Sequence, residues 1–216
     1  MSDQTIGQPK ILGVGIYMPV YDVAADLIGL GRNFQAKVYR LLQPQRGEIV
    51  LDVASGTGTF AILAKSVEPK LTIMGVEPDT KIISVANKKA NRKKLDIKFI
   101  ASTAQDMPFP TNSFDAVNSS LAFHHMSTTD KRAALKEIWR VLKPGGRFLL
   151  SDFGKSKSFW LKTSIRFGEL LGFESMNCAK DNLEGRIPDL ISEAKFSVET
   201  VASRHRGVEF WLCTKS

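Results

Sequence analysis

Short apolar runs near 48–53, 71–77, 97–101, 114–119 and 146–152 read as buried strands, being dense in Val, Ile, Leu and Phe. Between them the apolar positions recur at helical spacing, near 57–66, 79–94 and 130–142. Such alternation closes as a parallel sheet with helices on both faces, each crossover burying one apolar stripe. Ser127-Thr128-Thr129-Asp130 carries a hydroxyl three residues before an acid, the spacing that caps a helix start, and Pro144-Gly145-Gly146 ends the same helix. After the fifth strand come a longer stretch from Phe153 to Arg186, a helix opened by Pro188, and two further runs, Phe196–Val201 and Val208–Thr214. That last pair is expected to add an antiparallel edge hairpin. The pattern predicts an α/β chain on a doubly wound, mostly parallel sheet, forming a single domain over residues 1–216.

The first strand ends on Asp52 and runs into Ala54-Ser55-Gly56-Thr57-Gly58, a tight turn that opens a helix. Glycines at alternate positions let the backbone pass close beneath a ligand, and the helix offers its unpaired N–H groups. The second strand ends on Glu77, 19 residues beyond Gly58, so both carboxylates reach one end of the sheet. Glu77 can there accept from the hydroxyls of a ribose. Two adenosine-bearing cofactor classes use such an acid, nicotinamide dinucleotides and S-adenosylmethionine, and Gly56-Thr57-Gly58-Thr59-Phe60-Ala61 satisfies the dinucleotide pattern literally. Asp52 separates them, because a carboxylate beside the turn repels a pyrophosphate and suits an ammonium.

At these residues the chain resembles the class I S-adenosylmethionine-dependent methyltransferases, particularly the small members related to ubiquinone and menaquinone biosynthesis. The resemblance rests on five blocks in order: the glycine turn, Gly75-Val76-Glu77-Pro78-Asp79, Ala104-Gln105-Asp106-Met107-Pro108-Phe109-Pro110, Ser113-Phe114-Asp115-Ala116-Val117 and Leu142-Lys143-Pro144-Gly145-Gly146-Arg147. It implies a Rossmann-like fold, S-adenosyl-L-methionine as cofactor, and a cofactor site drawn from Asp52, Ala54, Ser55, Gly56, Thr57, Gly58, Glu77, Pro78, Thr103, Ala104, Gln105, Ser119 and Ser120. Thr103-Ala104-Gln105 would lie beside adenine, Ser119 and Ser120 along the sulfonium end, and Tyr21 near the methionine end. Ala54 and Ser55 stand where the family's turn has glycine and often cysteine, and Thr103 where many members carry an aspartate.

A chain of 216 residues with 43% hydrophobic content can bury one sizeable core and is short for two domains. No run reaches the roughly 20 apolar residues of a membrane span, and the polar opening lacks the basic start of a secretory signal. Cys178 and Cys213 stand in unrelated contexts, which suggests neither a disulfide framework nor a metal site, and a cytoplasmic location is expected. The formal charge of +8 favours anionic partners without choosing among them. Its densest run, Lys88-Lys89-Ala90-Asn91-Arg92-Lys93-Lys94, reads first as the solvated face of a helix, with a membrane-surface or RNA contact left open.

Substrate recognition falls to segments the cofactor core leaves over. Residues 1–45 hold Tyr17, Tyr21 and a helix through Phe34, Val38 and Leu41 that could fold over the cofactor as a cap; Tyr21 is either a cofactor contact or a packing tyrosine. Residues 153–190 form a substrate-side helical insertion. Within it, Ser158 to Leu171 gathers Lys162, Arg166 and Glu169 on one side and Phe159, Trp160, Phe167, Leu170 and Leu171 on the other. Such a helix belongs in a core, over a lipophilic acceptor as a lid, or at a membrane interface.

Methyl transfer from a sulfonium needs the reacting atoms in line, water excluded and the nucleophile unprotonated. His124 and His125, just beyond the fourth strand, are the candidates to take that proton. On an extended segment only one of them would face the cleft, and a purely structural role for both stays open. Asn118-Ser119-Ser120-Leu121 lacks the Asn/Asp-Pro-Pro-aromatic run of enzymes that methylate base amino groups, which argues against nucleic acid. The expected function is methyl transfer to a small lipophilic acceptor, a quinol-like phenol or ring carbon or a lipid amine, with peripheral membrane contact left open. A nicotinamide-dependent oxidoreductase and a noncatalytic cofactor-binding protein are the alternatives.

Overall fold

Each apolar run pairs with its neighbours as a strand, and the helical stripes cover the two faces of the sheet so formed. A computed structural model describes residues 29–155, 176–205 and 207–216, without the side chains of residues 176, 177 and 200–204. In chain order the elements are α1 (Arg32–Leu42), β1 (Ile49–Val53), α2 (Thr59–Val67), β2 (Thr72–Glu77), α3 (Thr80–Arg92), β3 (Lys98–Ala101) and β4 (Phe114–Ser120). A 3-10 turn at Phe123–His125, α4 (Thr128–Val141), β5 (Leu142–Phe153), α5 (Met176–Glu184), α6 (Ile187–Glu193), β6 (Ser197–His205) and β7 (Val208–Thr214) follow. The strand order is β3-β2-β1-β4-β5-β7-β6, parallel from β3 through β5, with β7 antiparallel to both β5 and β6. This is the doubly wound, Rossmann-like sheet with its C-terminal antiparallel hairpin, and its order reverses between β1 and β4.

Period-two alternation divides the core. On β1, Val50 faces one side and Leu51 the other; on β5, Leu149 opposes Phe148 and Leu150. Phe34, Val38 and Leu42 of α1 with Phe60, Ala61 and Ala64 of α2 cover the first face, and Ala134, Leu135 and Ile138 of α4 with Leu190 and Ile191 of α6 cover the second. All of these side chains are buried. The predicted cap of α4 is formed: Ser127 Oγ accepts from the Asp130 amide at 3.1 Å and donates to the Asp130 carboxylate at 2.7 Å, worth about 1 kcal/mol.

Two expectations change. The strand expected from residue 146 already begins at Leu142, directly where α4 ends, because Leu142 is fully buried opposite Phe114 and the chain leaves the helix extended. Pro144 and Gly145 therefore lie in the irregular opening of β5, where the register slips between Phe114 and Ala116. The helix through Phe34 and Val38 packs into the core, and its third buried position is Leu42, with Leu41 only partly buried against it. Arg147 ties its last turn to the opposite end of the strands by donating to the carbonyls of Leu42 and Gln43, both at 2.6 Å. Tyr17, Tyr21 and the segment Ser158 to Leu171 lie outside the described residues. Among the described residues no helix is long and apolar enough to cross a membrane.

Candidate functional site

The parallel strands all end on one side, and there the topology collects the carboxylates foreseen at Asp52 and Glu77. Asp52 pairs in register with Asn118 of β4, whose Nδ2 donates to Asp52 Oδ1 at 2.7 Å. Ser120 Oγ donates in turn to Asn118 Oδ1 at 3.1 Å, which fixes the orientation of the amide. Asp52 Oδ2 is buried and has no partner of hydrogen-bond geometry. Burial pushes the Asp52 carboxyl up to about 7, against the pull of Asn118 and the nearby Ala61 amide and with a smaller push from Glu77. Glu77 also sits above its ordinary value, chiefly through burial, although Asp79 N donates to its Oε1 at 3.2 Å and Gly56 N to its Oε2 at 3.1 Å.

The turn between them is held by Ser55 N donating to the Val76 carbonyl and Gly58 N to the Ser55 carbonyl, both at 2.9 Å. Its two glycines serve different ends. A Cβ on Gly58, at φ +74°, would lie 2.6 Å from the Phe99 ring, so this glycine lets β3 and the turn pack. A Cβ on Gly56, at φ +53°, would meet nothing within 4 Å, and the backbone there lies under open space. Ala54 is left-handed without being glycine, at φ +55°. Lys89 departs from the expected solvated face: Lys88, Arg92, Lys93 and Lys94 are exposed, but Lys89 Nζ donates to Thr57 Oγ1 at 2.9 Å and Thr59 Oγ1 at 3.1 Å.

Ser102 N donates to the Glu77 carbonyl at 3.3 Å, which sets Thr103, Ala104 and Gln105 beside the end of β2. Ala104 is buried there while Thr103 and Pro78 are exposed. Ser119, fully buried, pairs in register with Val53, and its Oγ has no partner.

His124 and His125 are not on an extended segment. They lie on the 3-10 turn after β4, and their rings lie against each other with centroids 3.9 Å apart and planes tilted by 42°, so both project from the same side. The cause is Asp152 at the end of β5, which gathers the amides of Ala122, Phe123 and His124 on one oxygen. His124 is buried on Asp152, with Nδ1 2.7 Å from Oδ1, while His125 is exposed. Sequence reasoning missed Asn118 and Asp152. Both carried a signal: Asn118 is an amide inside an apolar strand, and Asp152 is a third strand-ending carboxylate.

An adenosyl sulfonium with a free amino group fits these residues. Asp52 Oδ2, Ser55 Oγ and Ser119 Oγ are each buried without a hydrogen-bond partner, and the backbone of Gly56, bonded to Glu77, lies under open space. A donor cation would satisfy Asp52 Oδ2, whereas a pyrophosphate would meet Asp52 and Glu77.

Comparison with known proteins agrees. A methyltransferase domain family matches residues 51–150. A demethylmenaquinone methyltransferase of Deinococcus radiodurans is 38% identical over 140 residues, covering 62% of this chain and 56% of that protein, so the chain spans little more than half of that relative. The demethylmenaquinone methyltransferase of Thermus thermophilus is 31% identical over 159 residues, covering 72% of this chain and 71% of that protein. Among solved structures, a SAM-dependent methyltransferase from Aquifex aeolicus superposes with a TM-score of 0.73 at 18% identity, over 94% of this chain and 98% of that one, which speaks for the fold. With motif, topology and relatives in agreement, the chain belongs to the class I S-adenosylmethionine-dependent methyltransferases, of the type that includes the demethylmenaquinone methyltransferases.

Proposed function

We propose that this protein methylates a lipophilic hydroxylated ring, a quinol of the demethylmenaquinone kind, with S-adenosylmethionine as the methyl donor. The observation that carries the reading is the orphaned, buried oxygen of Asp52 beside the second carboxylate, Glu77. Asp52 binds the amino group of the cofactor and Glu77 its ribose hydroxyls, with Thr103, Ala104 and Gln105 on the adenine side and Ser119 and Ser120 along the sulfonium end. When bound, the cofactor supplies a sulfonium methyl whose carbon takes the electron pair of the attacking acceptor atom while the C–S pair returns to sulfur. The protein's own part is to orient, to exclude water, and to accept the one proton the acceptor loses, for which the adjacent His124 and His125 are the candidates.

The names of the relatives support a quinone-type acceptor. A cytoplasmic protein touching the membrane peripherally belongs to the same proposal, because a quinol of this kind is lipid-soluble and the formal charge of +8 suits anionic headgroups. Calorimetry with S-adenosylhomocysteine, and NADH as the comparison ligand, tests the cofactor. Micromolar binding of the first and none of the second is expected, and the reverse would overturn the reading. Mass spectrometry after incubation with a reduced short-chain demethylmenaquinone then tests the acceptor, with a gain of one methyl group expected.

A further inference from the structure

Asp152 is fully buried and yet surrounded by donors. Its Oδ2 accepts from the amides of Ala122, Phe123 and His124 at 3.1, 2.7 and 3.3 Å, and its Oδ1 accepts from the Phe153 amide at 2.7 Å. Capping the 3-10 turn accounts for Oδ2. It does not account for Oδ1, which faces His124 Nδ1 at 2.7 Å. The His124 ring, itself buried, is held edge-on to Phe153 at 4.8 Å and against the tilted ring of His125 at 3.9 Å, so its orientation is fixed on three sides.

Burial alone would raise the Asp152 carboxyl, but His124 and the amides outweigh it and the group lies below the usual carboxylate range. An ionised carboxylate can only accept. The nitrogen facing it must carry hydrogen, and a neutral imidazole protonated at Nδ1 has its lone pair on Nε2. His125 is exposed and meets the pair through its ring against that of His124. Among the described residues, the ionisable groups near the pair include Glu209, opposite Asp152 on β7, and Lys131 of α4, which is buried with Asp181 of α5 at 3.2 Å beside Arg186.

We infer that Asp152 is a positioning residue that makes His124, and not His125, the general base of the reaction, with Nε2 taking the hydroxyl proton of a phenolic acceptor. This rests on the methyltransferase reading above. The acceptor O–H bond breaks and its proton becomes the Nε2 hydrogen of an imidazolium; the ring carbon conjugated to that oxygen forms the new bond to the methyl group, and as this carbon then gives up its own hydrogen the oxygen is reprotonated, so that one proton is released in all. Asp152 stabilises that imidazolium across Nδ1–H, and the proton then leaves to water, so no further reactant is needed.

The test begins with the full-length protein free of ligand. Long-range 1H–15N spectra, assigned with His124→Gln, are expected to find the neutral His124 ring protonated on Nδ1 and bare on Nε2; a bare Nδ1 would overturn the proposal whatever the enzyme turns over. In Asp152→Asn the asparagine can present its NH2 to the ring and reverse the tautomer. With a reduced short-chain demethylmenaquinone as acceptor, Asp152→Asn and His124→Gln should each lower kcat by roughly 10²- to 10⁴-fold with KM changed less than about threefold, and the double variant should lose no more than the worse single one. The acid limb of the kcat profile should move to lower pH in Asp152→Asn, and His125→Gln, which leaves the Asp152–His124 pair in place, should lower kcat by much less than His124→Gln. Full kcat in His124→Gln, or loss of it in His125→Gln alone, would overturn the assignment. S-adenosylhomocysteine affinity, expected within about threefold of wild type in all variants, keeps the two readings apart. If the wild type fails to bind it, the methyltransferase reading falls and takes the general-base role with it; if binding is intact and the tautomer is wrong, only the dyad falls.

Discussion

Asp52 and Asp152 are the same residue type, both buried, each near the end of a strand that flanks β4. Their carboxyls nevertheless move in opposite directions, Asp52 up to about 7 and Asp152 below its ordinary value. Burial is the largest influence on both, so burial does not separate them; the donors do. Asp152 has four backbone amides and an imidazole, and Asp52 has Asn118, the influence of the Ala61 amide and one oxygen without a hydrogen-bond partner. A buried carboxylate left short of donors favours a cationic partner, as the proposed cofactor role of Asp52 requires, whereas one saturated with donors is held ionised by the fold, as the proposed role of Asp152 beside His124 requires.

The largest effect expected from this contrast is on binding. Asp52→Ala should weaken S-adenosylhomocysteine by at least about 100-fold, about 3 kcal/mol, since it removes one partner of a buried charge pair. Calorimetry reads this directly, and an unchanged affinity would remove the ammonium assignment. Asparagine in place of each aspartate should then shift thermal stability in opposite directions at pH 8. The folded Asp52 carboxyl titrates at about 7 against an ordinary 3.8, so the folded state holds its proton more tightly than the unfolded state. The stability this contributes is complete below the ordinary value and is lost as pH rises through about 7. An asparagine side chain mimics the protonated form, and the midpoint of Asp52→Asn should exceed wild type by at least about 2–4 °C at pH 8, for each 1 kcal/mol regained. Asp152 has the reverse sign. Its stabilisation is present above the ordinary carboxylate range and lost as pH falls through its lowered value, so Asp152→Asn should melt below wild type at pH 8. The same linkage makes wild-type affinity for S-adenosylhomocysteine fall below about pH 7, by up to about tenfold per unit, with a flat profile in Asp52→Asn.

How far the chain could be read in advance follows the same line between local and assembled features. The strands, the cap at Ser127 and the C-terminal hairpin were legible because their signals are period and turn chemistry, which neighbours in sequence carry alone. That Asp52, Gly56 and Glu77 come together was legible because a carboxylate, a glycine turn and a crossover length repeat as a unit. Asn118 was not, since its meaning lies in the register that sets it opposite Asp52 across two strands. Asp152 had the same strand-end position as Asp52 but no glycine turn after it, and its partner His124 comes 28 residues earlier in the chain. The histidine pair was misjudged as extended for the same reason, because a carboxylate from β5 winds that loop into a 3-10 turn. Lys89 looked like its exposed neighbours until α3 was packed beside the turn.

The glycine turn offers a smaller version of the contrast between a group short of partners and one packed into its neighbours. Gly58→Ala should cost at least about 2 kcal/mol of stability, because the new Cβ meets the Phe99 ring at 2.6 Å in addition to the left-handed backbone. Gly56→Ala has open space and should cost only the left-handed penalty, about 1 kcal/mol, while lowering S-adenosylhomocysteine affinity by more than about tenfold, as the methyl group occupies the space the ligand needs. Urea unfolding beside calorimetry separates the two. Equal loss of stability at both positions would mean that the space over Gly56 is not kept for a ligand.

The smallest effect is expected at Ala54, which already bears the strain its neighbours avoid. At φ +55° an alanine costs roughly 1–2 kcal/mol relative to a right-handed conformation, and glycine removes that cost while adding roughly 0.5–1 kcal/mol of chain entropy in the unfolded state. Ala54→Gly should therefore gain about 0.5–1 kcal/mol in urea unfolding. Its effect on affinity should be less than about threefold, because Ser55 N remains bonded to the Val76 carbonyl and Gly56 N to Glu77, which hold the turn in place whichever residue stands at 54. A stabilised Ala54→Gly variant that loses S-adenosylhomocysteine would instead mean that the alanine methyl packs on the cofactor, so that its strain is offset only in the bound state, as the charge of Asp52 is.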